Sequence, residues 1–435
     1  MGDHVSLWAD TQSLPAFPTL EQDVTTDVLI IGGGLAGLLC AYFLCQNGVD
    51  CLLVEQDRIG GGTTHNTTAK ITVQHGLMYH KLIKDRGEEI AKGYWMANKK
   101  AFDTYAQLCQ RIDCDYEVKD NYVYSVNDRR KLEQELTALE RIGCEAHWCD
   151  RVPIPISTVG AVCVPHQAQF HPLEFIAAIA QGLPIYENTK VREMIGNTAV
   201  TQHGRIKAKS VIVATHFPFI NKHGNYFLKL YQHRSYVLAL QGAQELSGMY
   251  VDESDTGFSF RKYQDLLLLG GGGHRTGKKG GSFSVLERFR DENYPYTRIC
   301  YGWAAQDCMS LDAVPYIGQY SASTKRLYVA TGFNKWGMTG SMVAAQLLCE
   351  ALMGTKSEFA DVFDPSRSIL KPQLLVNGFE SLTNLLTPTA KRCPHLGCAL
   401  KWNPYEHSWD CPCHGSRFTH DGKNLDGPAT SDLKQ

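Results

Sequence analysis

The chain reads as a mixed α/β protein of two lobes followed by a small C-terminal module. Three observations predict this: a strand–glycine turn–helix–strand unit near the N-terminus, alternating β segments through the middle, and two Cys/His pairs near the C-terminus. At 435 residues it is long enough for a large two-lobed enzyme and an appendage.

Residues 26–31 are short, apolar and β-branched without alternation, the pattern of a buried parallel strand. Gly32, Gly34 and Gly37 follow as G-x-G-x-x-G, then an apolar helical stretch that ends near Gly48. A second strand, Cys51–Val54, ends on Glu55. This order is the dinucleotide fingerprint. Glycines let the backbone approach a pyrophosphate, the helix N-terminus stabilises its charge, and Glu55 takes the ribose hydroxyls. A lone glycine motif is usually an ordinary turn, but here strand, helix, second strand and acid stand in sequence. FAD is favoured over NAD by residues 60–70, where Thr63, Thr64 and Thr68 and many backbone donors suit ribityl and phosphate groups. A distant strand, Leu327–Thr331, ends at Gly332, and Gly337, Met338 and Thr339 open a helix. That helix terminus suits negative charge on a reduced isoalloxazine.

Between these ends, residues 78–109 and 127–143 read as helical stretches, and 116–126 and 159–164 as strands. His171 and Pro172 begin a further helix. Residues 231–239 and 266–269 alternate as strands of a substrate-side sheet, and the glycine run 270–273 reads as a solvent turn. Residues 356–390, with Pro365, Pro372 and Pro388, read as a linker docked on the preceding lobe.

Near the C-terminus, Cys393-Pro-His395 and Cys411-Pro-Cys-His414 each offer one thiolate and one imidazole. A Rieske [2Fe–2S] centre needs two thiolates on one iron and two imidazoles on the other, drawn from two facing loops. Cys393 and Cys411 are the expected ligands of the first iron, His395 and His414 of the second. Zinc remains the other reading, since paired Cys and His also hold it. Structural zinc usually uses C-x₂₋₄-C spacing, and the one-residue gap between Cys393 and His395 is unusual for it.

Residues 393–398 and 411–416 resemble the cluster-binding loops of the Rieske family nearly residue for residue. The resemblance implies a small all-β domain, a disulfide between Cys398 and Cys413, and a hydrogen bond from Ser416 to the cluster. Phe418 stands where high-potential relatives carry a tyrosine, so a second such bond is missing. Residues 1–355 resemble the glycine oxidase-like, or D-amino-acid oxidase-like (DAO), FAD-dependent oxidoreductases, on the glycine fingerprint and on residues 211–215 and 312–318. That resemblance implies a Rossmann-like FAD-binding part (about 24–78, 166–220 and 300–355) and an antiparallel β-sheet substrate part (about 114–165 and 221–299). The linker at 356–390 leads to a Rieske domain at 391–435, shortened because little chain precedes Cys393.

Together the resemblances imply an oxidoreductase that oxidises a small organic substrate, an amine or amino acid, at FAD. Electrons then pass singly through the cluster to a one-electron acceptor protein or a quinone. Two other readings stay open: an FAD oxidase with a structural zinc module, and an electron-transfer protein without an organic substrate. No catalytic residue is singled out. Arg234, Arg261 and Arg275 are candidates to grip a carboxylate, and His65, His75, His216 and His274 for acid–base work. Asn334 and Trp336 are expected beside the flavin. Cys308 sits near where sarcosine oxidase-like relatives tether the flavin covalently, although a buried free cysteine is the default.

Net charge is -2 and the pI is about 6.8, so nothing points to nucleic acid or an anionic membrane surface. Eleven of the fifteen cysteines lie outside the C-terminal motif without framework spacing. They read as reduced thiols of a cytoplasmic protein. No apolar run has the length of a membrane span, and the first twenty residues lack the pattern of a secretory signal.

Overall fold

The computed structural model describes residues 5–433. Positions 1–4 and 434–435, the outer ends of the first and last expected domains, lie outside the described residues. Three sheets organise the chain. The nucleotide-side sheet is centred on Val24–Ile31, whose last four residues are buried. This strand pairs in parallel with Cys51–Val54 on one side and Arg205–Val213 on the other, Val28 standing opposite Cys51 and Ser210. Ile185–Tyr186 extends one edge, and Leu327–Thr331 with antiparallel Tyr316–Gln319 extends the other. Strands covered on both faces need continuous apolar residues, which is why Cys51–Val54 and the last four residues of Val24–Ile31 do not alternate, whereas Arg205–Val213 alternates until its last three residues, which are all buried. The helix Leu35–Gln46 is apolar on nearly every side because the helix Gly337–Leu352 packs against it. Gly37 permits its close approach to the sheet: a Cβ there would sit 2.0 Å from the carbonyl oxygen of Gly32.

The second sheet runs Arg298–Ser310, Leu230–Gln241, Leu266–Arg275, Ser259–Tyr263, Met249–Asp252, Glu117–Ser125, Gly160–Gln169 and Lys70–Ile71, with His147–Cys149 also on Gly160–Gln169. It is antiparallel except where Met249–Asp252 runs parallel to Glu117–Ser125. The glycine run 270–273 is not the solvent turn expected; it is the interior of the strand Leu266–Arg275. Crowding, not turning, demands glycine there. A Cβ on Gly273 would lie 2.4 Å from the Asp255 carbonyl oxygen, and one on Gly270 2.5 Å from Ser259 Oγ. The stretch 78–109 divides into two helices, Tyr79–Arg86 and Glu88–Cys109. Arg129–Arg141 is the next helix, capped by Asp128, whose side chain accepts the Lys131 N–H.

The segment 356–390 carries the short helix Ala360–Phe363 and the longer helix Pro372–Leu386. Between them Arg367 is fixed by a bidentate pair with Asp312, both bonds 2.8 Å. The C-terminal sheet is an antiparallel meander of Lys401–Asn403, Ser408–Asp410, Arg417–Thr419 and Asn424–Asp426, all following Cys393. It is keyed to the second sheet by a buried chain of charges. Arg234 pairs with Glu406, Glu406 with Arg417, and Arg417 with Asp410. Gln306 donates to the Gly415 carbonyl and to Asp426, each at 3.0 Å, and Arg275 to the carbonyls of Pro412 and Cys413. Among the described residues no helix is long and apolar enough to cross a membrane.

Candidate functional site

A cavity of about 850 Å³ is lined by residues of both large sheets. Gly32, Gly34, Glu55, Thr63, Thr64, Thr68, Gly337 and Met338 all stand in its wall. Glu55 Oε2 accepts the Gly33 N–H at 2.6 Å and Oε1 that of Asp57 at 3.0 Å; enclosure raises the pKa of this carboxyl. Thr64 Oγ1 accepts the Leu35 N–H at 3.2 Å. Leu35 and Ala36 line the cavity, so the first turn of Leu35–Gln46 opens onto it, as an anion site at a helix N-terminus requires. Gly37, Gly332 and Thr339 stand behind the wall. Gly37 seats the helix on the strand, Gly332 packs against Leu230 and Ser310, and Thr339 Oγ1 lies 3.0 Å from His75 Nε2.

The four candidate histidines separate. His75 also lines the cavity, buried between the Tyr94 hydroxyl and the Thr72 carbonyl and stacked on Trp336, burial lowering it to about 3. His65 bonds the Gly60 carbonyl, and His274 bonds the Tyr236 hydroxyl. His216 lines the cavity, its Nδ1 3.4 Å from Thr63 Oγ1 and its Nε2 3.1 Å from Gln232 Oε1. The three arginines are engaged within the protein rather than standing free on the surface, and Arg261 also keeps Nε and Nη2 buried without a partner. Arg234 lines the cavity but is paired with Glu406, Arg261 donates to the Ala69 carbonyl, and Arg275 holds the cysteine loop. Asn334 and Trp336 do line the cavity. Cys308 packs in the core with Thr331 beside its sulfur, and burial pushes its thiol up to about 12.

Asp307 and Lys70 are titratable groups of the wall that the sequence does not single out. Asp307 is pushed up to about 6 by its enclosure, against the pull of Lys335, His216 and Arg234. Lys70, whose Nζ donates to Thr68 Oγ1 at 3.0 Å, is pushed down to about 7 by burial and then by Arg261. Asp307 belongs to no motif, and Lys70 closes the hydroxyl-rich loop 60–70 without a spacing that marks it as a functional group.

The loops 393–398 and 411–416 repeat one backbone pattern. The Gly397 N–H meets the Cys393 carbonyl and the Gly415 N–H the Cys411 carbonyl, each at 2.9 Å. Both glycines have φ of 79°, where a side chain is disfavoured. Cys393 and Cys411 are buried and hydrogen-bonded to each other, and the Ser416 hydroxyl reaches Cys393. The rings of His395 and His414 stand 4.9 Å apart. Their Nδ1 atoms are buried without partners, while His395 Nε2 is bonded to Asn221 Oδ1 at 3.0 Å. Burial lowers His395 to about 4 and His414 to about 3, which favours the neutral imidazole that metal ligation uses. A thiol pair and a pair of orphaned ring nitrogens fit two unlike irons. Cys398 and Cys413 form a disulfide, and Phe418 is wholly buried in the same small core.

The two sites touch. Phe217 lines the cavity, and its ring lies 6.1 Å from the rings of both His395 and His414. The Gln306 carbonyl accepts the Thr63 hydroxyl at 3.1 Å, while its side chain reaches Gly415, next to His414. Arg417 and residues 425–430 complete the cavity wall from the C-terminal sheet.

A dinucleotide cradle opening against a two-thiol, two-imidazole centre defines a two-cofactor redox enzyme. The chain belongs to the FAD dependent oxidoreductase (DAO) family, whose model matches residues 27–351, and a Rieske [2Fe-2S] domain model matches residues 373–435. The DAO domain binds FAD and the Rieske domain a [2Fe–2S] cluster. The Rieske match begins inside the segment 356–390 and takes in the helix Pro372–Leu386. The chain is 33% identical to the Bacillus subtilis (strain 168) protein named as Rieske 2Fe-2S iron-sulfur protein YhfW, over 98% of this chain and 96% of that one. It is 24% identical to the gamma-glutamylputrescine oxidoreductase of Escherichia coli (strain K12), over 82% of this chain and 91% of the relative. Glycine oxidase from Geobacillus kaustophilus shares the fold, with a TM-score of 0.67 at 18% identity over 79% of this chain and 99% of that structure.

Proposed function

We propose that this chain oxidises a small amino compound at FAD and passes the electrons singly through its [2Fe–2S] cluster to an external one-electron acceptor. The observation that carries the reading is Phe217, one side chain that both lines the flavin cavity and packs edge-on to the two ligand imidazoles. FAD supplies two-electron acceptance and the cluster one-electron transfer. Gly32, Gly34 and the first turn of Leu35–Gln46 receive the pyrophosphate. Glu55 receives the adenosine ribose, and Thr63, Thr64 and Thr68 the ribityl and phosphate oxygens. Gly337 and Met338 face the isoalloxazine, with Gly37, Gly332 and Thr339 setting the shape behind them. Cys393 and Cys411 hold one iron and His395 and His414 the other, with Asn221 fixing the orientation of His395. Asp307, at about 6, is ionised at neutral pH and still basic enough to take a proton from a substrate ammonium. Relatives named for gamma-glutamylputrescine and glycine support an amino substrate.

The test is anaerobic mixing of the holoenzyme with a panel of amines and amino acids, following flavin absorbance and the EPR signal of the reduced cluster together. Flavin bleaching followed by the cluster signal is expected. A bleached flavin beside a cluster that stays oxidised overturns the electron path. A flavin that no amino compound bleaches, yet dithionite does, overturns the substrate class.

A further inference from the structure

The helix Pro372–Leu386 faces the protein body with its polar side. Its buried residues are Asn377, Glu380 and Asn384, at 3%, 8% and 3% exposure. Asn377 accepts from Arg275 at 2.9 Å and donates to the Leu228 carbonyl; Glu380 pairs with Lys278 and accepts from Asn384. Leu375, Val376, Phe379, Leu382, Leu385 and Leu386 point outward, Leu375 77% and Phe379 72% exposed. A surface helix ordinarily turns its apolar stripe to the core. Large apolar side chains gathered on one outer ridge mark an interaction site. The ridge runs on to the cluster loop. Arg392 donates to the carbonyls of Leu385 and Gly397, and Leu396, beside His395, is itself exposed.

Charge selects the occupant. Segments 219–229, 274–281 and 368–401 meet at this helix and contain nine lysines and arginines against one carboxylate, the buried and paired Glu380. Lys222, Lys278, Lys279, Lys391 and Arg392 are exposed. The whole-chain charge of -2 hides this basic face. A second copy of the chain would set the same cations against one another. We propose that the ridge is an in-plane anchor that seats the protein on an anionic lipid bilayer. Leu375, Phe379, Leu382 and Leu386 enter the acyl boundary while the flanking cations meet the headgroups. The cluster loop is thereby held beside the membrane plane.

Flotation of the full-length holoprotein with vesicles tests this, using phosphatidylcholine alone and phosphatidylcholine with phosphatidylglycerol. Flotation with the phosphatidylglycerol vesicles is expected, weakened by salt, with little on phosphatidylcholine alone. The double variant Phe379→Ser/Leu382→Ser weakens association by roughly tenfold or more. The variant Lys279→Glu/Lys391→Glu removes the preference for phosphatidylglycerol. Native flavin and cluster spectra show that each variant is folded. Failure of the native holoprotein to float overturns the proposal. So does a concentration-dependent dimer abolished by Phe379→Ser, which assigns the ridge to a second copy. Salt-sensitive binding of an acidic electron-acceptor protein in place of flotation overturns it equally.

Discussion

Phe418 is wholly buried in the core that holds Cys393 and Cys411 and brings no hydroxyl to them, whereas Ser416 does. A hydrogen bond to charged sulfur favours the more negative, reduced cluster by about 1.5–3 kcal/mol. For a one-electron couple that is roughly 65–130 mV. Phe418→Tyr is therefore expected to raise the cluster potential and Ser416→Ala to lower it, as read by protein-film voltammetry. Asp307 makes a prediction in pH. A carboxyl brought to about 6 must lose its proton to act as a base, so kcat/KM rises with pH through that value. Asp307→Asn should remove this limb and lower kcat/KM by about a hundredfold. Glu55→Ala removes the acceptor of the Gly33 and Asp57 N–H groups and the proposed ribose contact. FAD retention should fall by roughly tenfold or more while the cluster spectrum stays unchanged; full flavin occupancy after dilution would count against that role.

At the scale of elements, the strands Val24–Ile31 and Cys51–Val54 and the helices Pro172–Ile179 and Gly337–Leu352 lie where pattern and capping residues put them. Their signals are local. The strand holding Gly270 to Gly273 is the opposite case, because its glycines answer to crowding by Ser259 and Asp255, groups outside their own strand that come against them only when the sheet pairs. The cluster loops combine both kinds of constraint. Gly415 takes a φ of 79° for its own turn, and a Cβ there would also sit 2.2 Å from Gln232 Cγ in the flavin lobe. Gly415→Ala should cost about 1–2 kcal/mol in backbone strain and about 1–3 kcal/mol in overpacking. The cluster's visible circular dichroism is expected to be lost at a lower temperature than in the native protein, with flavin release unaltered.

Across the whole molecule, the C-terminal sheet is held to the flavin lobe by Arg234, Glu406, Arg417 and Asp410. Removing one member of a buried charge network costs about 3–5 kcal/mol, because the partner is left without compensation in a dry site. Arg234→Met should slow the appearance of reduced cluster relative to flavin bleaching and expose residues 356–390 to protease. Unchanged cluster reduction in that variant would show that the docking network plays no part in electron transfer.

The sequence by itself determined the two cofactor cradles: the glycine turn with Glu55, and the loops carrying Cys393, His395, Cys411 and His414. Both are legible because a few adjacent residues carry the geometry, a tight turn in one and paired ligands in the other. The tertiary structure alone decided that Phe217 joins the two sites, that Asp307 and Lys70 share the wall with residues 425–430, and that Pro372–Leu386 turns its apolar ridge outward. An amphipathic pattern states that a helix has two faces without stating which one meets the protein. That choice was made here by Arg275 and Lys278, about a hundred residues earlier, reaching Asn377 and Glu380. Proximity between segments so far apart, and the dry surroundings that shift a carboxyl or a lysine, exist only once the sheets have closed around the cavity.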